Sequence, residues 1–317
     1  MNILITGSMG FISRNFIEKI LLKDSSVSKI YGVDYIETLI NSPKYQHYKY
    51  DLSDNTLDNL PNDIFDVDLI IHTAGIPSPK FYKIEPFKTM ILNYDVTRLL
   101  LERMNKNTKF IYFSSSEIYG NPDPTNIPTK ETYNGYVSSI GDRSCYDESK
   151  RLGETVCYLF KNYRNKTVKI IRPFNFYGNH MKENDNRIVP RFMSQAINNQ
   201  DITVFSKGVQ TRSYCNIDDA IVMIRNICFE GKGFVYNVGN MDEEITANEL
   251  AKKILEIVPN SRSKIVNINY PNEYPKDEPM RRCPNIDRYY NEFNEKPKIN
   301  LEAGLDNFYQ YAKENWK

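Results

Sequence analysis

The sequence predicts an α/β fold in which a doubly wound parallel sheet is followed by a smaller α+β region. Two observations support this prediction. Short apolar runs alternate with helical stretches through the first half of the 317 residues, which indicates parallel strands covered by helices on both faces. After about Asn175 the runs shorten and the alternation loosens. The two predicted parts are therefore residues 1–175 and 176–317.

The first part contains six predicted strands and three predicted helices. The strands are the apolar or aromatic runs NILIT, KIYGV, HYKY, LIIHTAG, KFIYFSS and VKIIRPF. Apolar residues at helical spacing predict the helices, over 11–22, 89–106 and 146–161. Two of these strands end in polar residues. Because ligands bind at the carboxyl ends of parallel strands, we expect a site at that edge of the sheet.

The second part mixes helices with short strands. Its predicted helices are RIVPRFMSQAINN, DDAIVMIRNICF, TANELAKKILEI and residues 301–316, and its predicted strands are ITVF, RSYCNI and SKIVNINY. Thr246 and Glu249 have the spacing of a capping box at the start of one helix. No linker-like segment separates the two parts, so we expect them to pack directly on each other.

A glycine-containing turn follows the first predicted strand. Gly7 permits a tight turn, and Gly10 lets the backbone approach a pyrophosphate at the N-terminus of the helix that begins with Phe11 and Ile12. Ser13 stands where a third glycine is common, so we expect slightly looser packing of this helix on the strand. The order of strand, glycine turn and helix predicts dinucleotide binding. The alternative is a glycine turn as found in any α/β protein.

Asp34 ends the second predicted strand, about 20 residues past the glycines. An acid there accepts hydrogen bonds from an adenosine ribose, and its charge would repel a 2'-phosphate, which favours NAD over NADP. Asp51 follows the third strand and could meet the adenine amino group. Asn93 could hold a water against Lys150, or it could be a helix-surface amide. Further residues predicted to contact the cofactor are Leu52, Thr73, Ala74 and Gly75.

Composition excludes several classes of partner. The net charge of +1 gives no reason to expect a nucleic acid or a membrane surface. No apolar run is long enough to span a bilayer, and no signal peptide is recognisable at the N-terminus. Five cysteines without a C-x-x-C pair indicate reduced thiols in a cytoplasmic protein. Three scattered histidines predict no metal site.

Tyr146 and Lys150 are the main catalytic candidates. Their spacing of four residues places both side chains on one face of a helix. A lysine ammonium beside a phenol favours the phenolate, so we expect the pKa of Tyr146 to fall, which would make it a general base for an alcohol proton. The alternative is an ordinary solvated helix face.

The fifth predicted strand leads into the segment SSSEIYG, which adds two candidates. Ser115 could hydrogen-bond a substrate alcohol and align its proton with Tyr146. Glu117 lies at the end of a buried strand, where an acid is costly unless it is paired or functional. The alternative is a turn glutamate that accepts hydrogen bonds from backbone amides.

The chain resembles the extended short-chain dehydrogenase/reductases of the nucleotide-sugar epimerase/dehydratase type. The resemblance covers nearly the whole length, through ILITGSMGFIS, YDLSD, SSSEIYG, YDESKRLGE, RPFNFYG, RIVPRF, QTRSYCNIDDA and YNVGN. The stretches SPKFY, ETYNGYVSSIGDRSCYDESKR and DEPMRRCPNI look most similar to the UDP-glucuronate decarboxylases, also called UDP-xylose synthases. The resemblance implies a Rossmann-type domain with bound NAD, a C-terminal substrate-binding region and a homodimer.

The resemblance also assigns roles to individual residues. It makes Ser115, Tyr146 and Lys150 a catalytic triad and Glu117 an active-site glutamate. The residues that it implies for binding a nucleotide-diphosphate sugar are Ser78, Asn175, Arg187, Arg212 and Arg282. Tyr146 would take the proton of the sugar C4 hydroxyl while hydride passes from C4 to the nicotinamide. The resulting 4-keto uronate would lose carbon dioxide, and hydride would return to C4.

Other reactions remain open at this point. Dehydratases of the family have an Asp-Glu pair where this chain has Ser116 and Glu117, and a serine is a poor general acid, so 6-dehydration is disfavoured. Asp142 would repel a uronate carboxylate if it faced the site. A 4-ketoreductase or 4-epimerase that acts on a UDP- or dTDP-hexose, in deoxysugar or polysaccharide biosynthesis, is therefore an alternative. A non-catalytic dinucleotide-binding regulator is a third hypothesis.

Overall fold

The structure is a computed structural model that describes residues 1–54, 56–272, 274–275 and 278–316. The strands, in chain order, are β1 (Asn2–Thr6), β2 (Lys29–Asp34), β3 (Tyr45–Lys49), β4 (Leu69–His72), β5 (Lys109–Phe113), β6 (Thr167–Pro173), β7 (Phe176–Tyr177), β8 (Ile202–Phe205), β9 (Thr211–Arg212), β10 (Cys215–Asn216), β11 (Val235–Val238), β12 (Ile245–Thr246), β13 (Ile265–Ile268) and β14 (Arg281–Arg282).

The α-helices, in chain order, are α1 (Phe11–Phe16), α2 (Pro86–Met90), α3 (Val96–Arg103), α4 (Ser144–Tyr163), α5 (Ile188–Ile197), α6 (Ile217–Phe229), α7 (Ala247–Ile257), α8 (Asp287–Phe293) and α9 (Leu301–Asn315). One π-helical segment, Ile17–Leu21, continues α1, and another, Ile91–Asp95, joins α2 to α3. None of the helices in the described part of the chain is both long and apolar enough to cross a membrane.

A seven-stranded parallel sheet forms the centre of the molecule, in the order β11-β6-β5-β4-β1-β2-β3. The predicted doubly wound α/β fold is confirmed. The strand order reverses beside β1, which pairs with β4 on one side and β2 on the other. A crevice at the carboxyl ends of the strands opens at such a reversal, and that is where ligands bind in sheets of this type.

Helices cover both faces of the sheet. Alternate residues of β1 point to opposite faces: Ile3 and Ile5 belong to the core shared with α1 and α6, and Leu4 belongs to the core shared with α3 and α4. A third core lies among α5, α7 and α9, beside the parallel pair β8 and β13. Two layers of packed helices therefore hold the strand ends rigidly.

The central sheet draws on both predicted parts of the chain. The six predicted strands are β1 to β6, and β11 is a seventh that the sequence analysis missed. It pairs with β6 in parallel, and α6 packs in the same core as α1. The buried Asn237 interrupts the apolar run of this strand, VYNV. The division into 1–175 and 176–317 stays a prediction.

Several local expectations were imprecise in the second part. RSYCNI, predicted as one strand, contains the end of β9 and the whole of β10, which pair with different partners. Helix α8 was not predicted. The capping box is confirmed: the Thr246 hydroxyl accepts a hydrogen bond from the Glu249 amide at 3.1 Å, and Glu249 Oε2 accepts one from the Thr246 amide at 2.7 Å.

Candidate active site

The glycine turn is shaped by close backbone contacts. Gly7 has a φ of +69°, and a Cβ atom there would come 2.7 Å from the Ala74 backbone nitrogen, so a side chain is excluded. Gly10 precedes α1, whose first turn has no side-chain cap. The backbone N–H groups of the first turn of α1 are thus free to bind a phosphate. Ser13 is buried and shares a 2.5 Å hydrogen bond with the Thr73 hydroxyl, and the looser packing of this helix stays a prediction.

Asp34 stabilises this turn in the structure. Its carboxylate accepts hydrogen bonds from the Met9 amide at 2.9 Å and the Ile36 amide at 3.0 Å. It therefore connects the end of β2 to the glycine turn, where the predicted ribose contact would be. Asp51 is exposed and forms an ion pair with Lys88 at 2.9 Å. Burial acts to raise the pKa of Asp51, but hydrogen bonds from Lys88 and neighbouring groups lower it overall.

Gly75, Asn93 and Lys150 meet at one point. A Cβ on Gly75 would lie 3.2 Å from Asn93 Oδ1 and 3.7 Å from Lys150 Nζ. Asn93 is fully buried and donates to Ser149 Oγ at 2.9 Å, so the helix-surface alternative is wrong. Its Oδ1 is buried without a hydrogen-bond partner among the described residues. Leu52 is buried in the neighbouring core.

Tyr146 and Lys150 both lie inside the protein. Each is 5% exposed, so the alternative of a solvated helix face is wrong. Lys150 Nζ donates to the Phe113 carbonyl at 2.7 Å and lies 5.9 Å from the centre of the Tyr146 ring. Ser115 is close enough to Tyr146 for its hydroxyl to act to lower the pKa of that phenol. The geometry brings the three predicted members of the triad together.

The protein's own groups raise the pKa of Tyr146, so the predicted fall is wrong. Burial raises the pKa of Tyr146, the carboxylates of Glu117 and Asp147 add to the rise, and only the Ser115 hydrogen bond and the Arg143 charge oppose it. Burial lowers the pKa of Lys150 to about 7. A buried lysine that is partly neutral stabilises a phenolate less than a full ammonium would.

Glu117 is paired with arginines rather than with backbone amides. Its carboxylate contacts the guanidinium groups of Arg143 and Arg282, so the turn-glutamate alternative is wrong. Burial acts to raise the pKa of Glu117, but Arg143, Arg282 and Arg212 together hold it below its ordinary value. Glu117 is therefore a buried carboxylate that stays ionised.

One cavity collects most of the predicted substrate residues. Its walls include Glu117, Asn175, Arg187, Arg212 and Arg282. Ser78 lies between two cavity-lining prolines, and its buried Oγ makes no hydrogen bond within the described residues. The lining side chains comprise four arginines and two glutamates. The cavity is thus positively charged overall and suited to an anionic ligand.

Three of the four arginines that line this cavity have carboxylate partners within the described part of the chain. Arg212 forms an ion pair with Glu278 at 3.0 Å, and Arg282 forms one with Glu117. Arg187 binds the carboxylate of Asp185 through two nitrogens. These pairs orient the guanidinium groups, which retain further N–H donors for a phosphate or carboxylate.

The structure also brings in residues that sequence reasoning did not assign. They are Tyr82, Arg143, Asp147, Arg191, Phe205, Tyr274 and Glu278. Tyr82 and Arg143 lie within the quoted stretches SPKFY and GDRSCYDESKR, so the signal was present without an assigned role. Asp142 is paired with Lys83 at 2.7 Å. This pair neutralises the charge that was expected to repel a substrate carboxylate.

Comparison with known proteins identifies the family. A model of the NAD dependent epimerase/dehydratase family matches residues 3–239. The chain belongs to this family. It is therefore an NAD-dependent enzyme, as the resemblance in its sequence implied.

Individual relatives are similar over almost the whole chain. UDP-glucuronic acid decarboxylase 6 of Arabidopsis thaliana is 32% identical over 313 residues, which are 96% of this chain and 87% of that protein. UDP-glucuronic acid decarboxylase 1 of Danio rerio is 31% identical over 98% of this chain and 72% of that protein. The crystal structure of UDP-glucuronic acid 4-epimerase from Bacillus cereus, in complex with UDP-glucuronic acid and NAD, has a TM-score of 0.82, 25% identity and 99% coverage of both chains.

The residues present fit NAD. Gly7 lets the turn pack against the backbone of Thr73 and Ala74, and the first turn of α1 offers uncapped N–H groups for the pyrophosphate. The unpartnered Oδ1 of Asn93 beside Lys150 marks a polar point at the same strand edge. The contacts of individual residues with NAD stay predictions.

Proposed function

We propose that this enzyme decarboxylates UDP-glucuronate to UDP-xylose through a 4-keto intermediate. The observation that carries the proposal is the cavity lined by four arginines, in which Glu117 contacts Arg282 and its charge acts on the buried Tyr146. Two similar proteins are named UDP-glucuronic acid decarboxylases, and a structural neighbour contains UDP-glucuronic acid. These findings support a UDP-uronate as substrate.

Tyr146 removes the proton of the sugar C4 hydroxyl, which Ser115 aligns by hydrogen bonding. When bound, NAD⁺ accepts hydride from C4 and later returns it, and its positive ring favours the Tyr146 phenolate. Lys150 holds its place through the Phe113 carbonyl and adds the positive charge that remains to it near neutral pH. Burial of all three side chains excludes water from the proton transfer.

The second chemical step breaks the bond between C5 and C6. The electron pair of this bond moves towards the C4 ketone to form an enolate, carbon dioxide leaves, and C5 then takes a proton. The cavity favours a substrate of this charge because arginines bind diphosphate and carboxylate groups through paired N–H donors. Arg282 connects the two regions, since it lines the cavity and contacts Glu117.

A 4-epimerase that acts on the same UDP-uronate is the second candidate. It is favoured by the likeness to the UDP-glucuronic acid 4-epimerase, which covers 99% of the chain. Both reactions begin with the same oxidation at C4. In decarboxylation the 4-keto uronate loses its carboxylate. In epimerisation the sugar rotates in the site and hydride returns to the opposite face of C4.

Incubation of the purified enzyme with NAD⁺ and UDP-glucuronate, followed by NMR of the products, tests the proposal. We expect UDP-xylose and release of carbon dioxide. UDP-galacturonate as the product would establish the epimerase instead, and an unchanged substrate would remove both candidates.

A tyrosine pair provides the matched test of the catalytic base. We expect Tyr146→Phe to lower kcat by about 10²- to 10⁴-fold, because general-base catalysis contributes a factor of that size. Tyr163→Phe, at the exposed end of the same helix, should leave kcat unchanged. Equal activity of the Tyr146→Phe variant and the parent would contradict the assigned role.

The homodimer, the cytoplasmic location and a role in polysaccharide biosynthesis are further proposals. Exposed apolar side chains on α4, the helix that bears Tyr146, support the homodimer. They are Leu152, Tyr158 and Leu159. Five free cysteines, four of them buried, agree with a reducing compartment.

A further inference from the structure

Tyr82 lies directly against the proposed catalytic base. It ends the single helical turn Pro79–Tyr82 after β4 and is 1% exposed. Its ring stacks on that of Tyr146, with centroids 4.7 Å apart and planes 13° from parallel. The Tyr82 hydroxyl donates a hydrogen bond to the Pro77 carbonyl at 3.1 Å. The Tyr82 backbone carbonyl accepts a hydrogen bond from Cys145 Sγ at 3.6 Å. Hydrogen bonds therefore hold both the hydroxyl and the backbone of Tyr82.

Arg143 lies on the other side of this pair, one residue before α4. It is 4% exposed, and its guanidinium contacts Glu117 through Nη2 and Asp147 through Nε, the latter at 3.3 Å. The guanidinium carbon is also 5.8 Å from the centre of the Tyr82 ring. One side chain thus touches two carboxylates and the aromatic ring that packs on Tyr146.

We propose that Tyr82 and Arg143 are positioning residues for the reaction: Tyr82 fixes the ring plane of Tyr146, and Arg143 holds the carboxylates of Glu117 and Asp147 beside it. This inference rests on the proposed role of Tyr146 as the base. A planar guanidinium suits two carboxylates held in a set arrangement, because its five donors point along a fixed fork. A lysine ammonium is a single point charge.

Arg143 has an electrostatic consequence for Tyr146. Its positive charge lowers the pKa values of Tyr146, Glu117 and Asp147. Removal of the Arg143 charge should therefore raise the pKa values of all three groups. The carboxylates left beside Tyr146 also raise its pKa, so they do not offset the loss of Arg143. The titratable and charged groups that face this cluster from the packed elements are Tyr82, Glu117, Cys145, Asp147, Lys150, Arg212, Glu278 and Arg282.

The first experiment follows the titration of residue 146 directly. 3-Fluorotyrosine is placed at position 146, and its ¹⁹F shift is followed against pH in the NAD⁺-saturated protein. The fluorine lowers the phenol pKa, which brings the titration into an accessible range. We expect Arg143→Gln to move the midpoint upward by about 0.5 to 1 pH unit, as loss of a nearby opposite charge does, and Arg143→Lys to move it less.

The second experiment separates stacking from general stability. Tyr82→Phe keeps the ring and should keep kcat near that of the parent. Tyr82→Leu removes the ring and should lower kcat by about ten- to a hundredfold, since small displacements of catalytic groups have effects of this size. KM and NAD⁺ affinity should change by less than about twofold, because neither is set by the ring plane of Tyr146.

Two results would overturn the inference. One is an unmoved midpoint in Arg143→Gln, or in Arg143→Lys if circular dichroism shows that the glutamine variant does not fold. The other is equal kcat for Tyr82→Leu and Tyr82→Phe. Arg98→Gln, which breaks an exposed ion pair with Glu102 on α3, is the matched control and should shift neither readout. The ¹⁹F titration needs no sugar nucleotide, so it stays readable if the enzyme proves not to decarboxylate UDP-glucuronate.

Discussion

At the residue scale, two carboxylates that contact the same arginine hold their protons differently. Glu117 lies near three arginines, and their charges outweigh its burial, so its pKa falls below the ordinary value. Asp147 has a single close partner in Arg143, and its Oδ1 is buried without a hydrogen bond among the described residues. Burial and the charge of Glu117 raise the pKa of Asp147 to about 7. The pKa values of these two carboxylates thus differ because Glu117 has more positively charged neighbours than Asp147.

This difference predicts a pH-dependent effect of Asp147→Asn on stability. The folded-state pKa of about 7 lies above the value of 3.8 for an unperturbed aspartate, so the protonated carboxyl stabilises the fold fully below pH 3.8 and loses this contribution as the pH rises through 7. We expect the variant to gain free energy of unfolding relative to the parent across that window. Guanidinium unfolding at several pH values measures it, and a constant difference from about pH 4 to 8 would contradict it.

At the element scale, irregular turns of helix place the functional side chains. Asn93 lies in the π-helical segment Ile91–Asp95, and this local widening directs its amide towards Gly75 and Lys150. Such π-bulges are frequent at functional sites. Ser115 caps the single turn Ser116–Tyr119 by accepting a hydrogen bond from the Glu117 amide at 3.2 Å. The serine thus fixes the backbone that presents Glu117 as well as contacting Tyr146.

The capping box of α7 gives a prediction at the same scale. Thr246→Ala should lower the free energy of unfolding by about 1 kcal/mol, because it removes the side-chain acceptor at the N-terminus of the helix. Thr246→Ser keeps the hydroxyl and should lose much less. Denaturant unfolding of both variants measures the difference, and equal losses would show that the hydroxyl is not the stabilising group.

At the scale of the whole molecule, the two predicted parts of the chain share both the sheet and the site. The cavity has Glu117 from the first part, and Arg212 and Arg282 from the second. Strand β11 and helix α6 join the second part to the central sheet. Arg212 and Arg282 lie on β9 and β14 of a separate small sheet, whereas Glu117 follows β5 of the central sheet, so the cavity forms between the two sheets.

The outer face of α4 gives a prediction about assembly. The double change Leu152→Asp and Leu159→Asp should convert the proposed dimer to a monomer, because each protomer would bury two carboxylates in the interface. Light scattering of the protein as it elutes from a size-exclusion column measures the mass of the assembly. Tyr290→Asp, which alters an exposed aromatic residue of α8, should leave the mass unchanged. A parent protein that is itself monomeric would remove the dimer proposal.

The sequence predicted the fold class because alternating strands and helices leave a strong periodic signal. It also predicted the grouping of Ser115, Tyr146 and Lys150, since spacing along a helix and the end of a neighbouring strand are local properties. It did not predict β11, whose apolar run is interrupted by the buried Asn237, or the rise in the pKa of Tyr146. A pKa depends on burial and on every nearby charge, which the local pattern does not contain.

The sequence by itself determined which chemical groups this protein has and the order in which the strands deliver them to one edge of a sheet. Only the tertiary structure decided their partners. It paired Glu117 with Arg143 and Arg282, stacked Tyr82 on Tyr146 and paired Asp142 with Lys83. Partners such as Glu117 and Arg282 are 165 positions apart in the chain. Contacts of that separation arise from how the elements pack, and no local spacing encodes them.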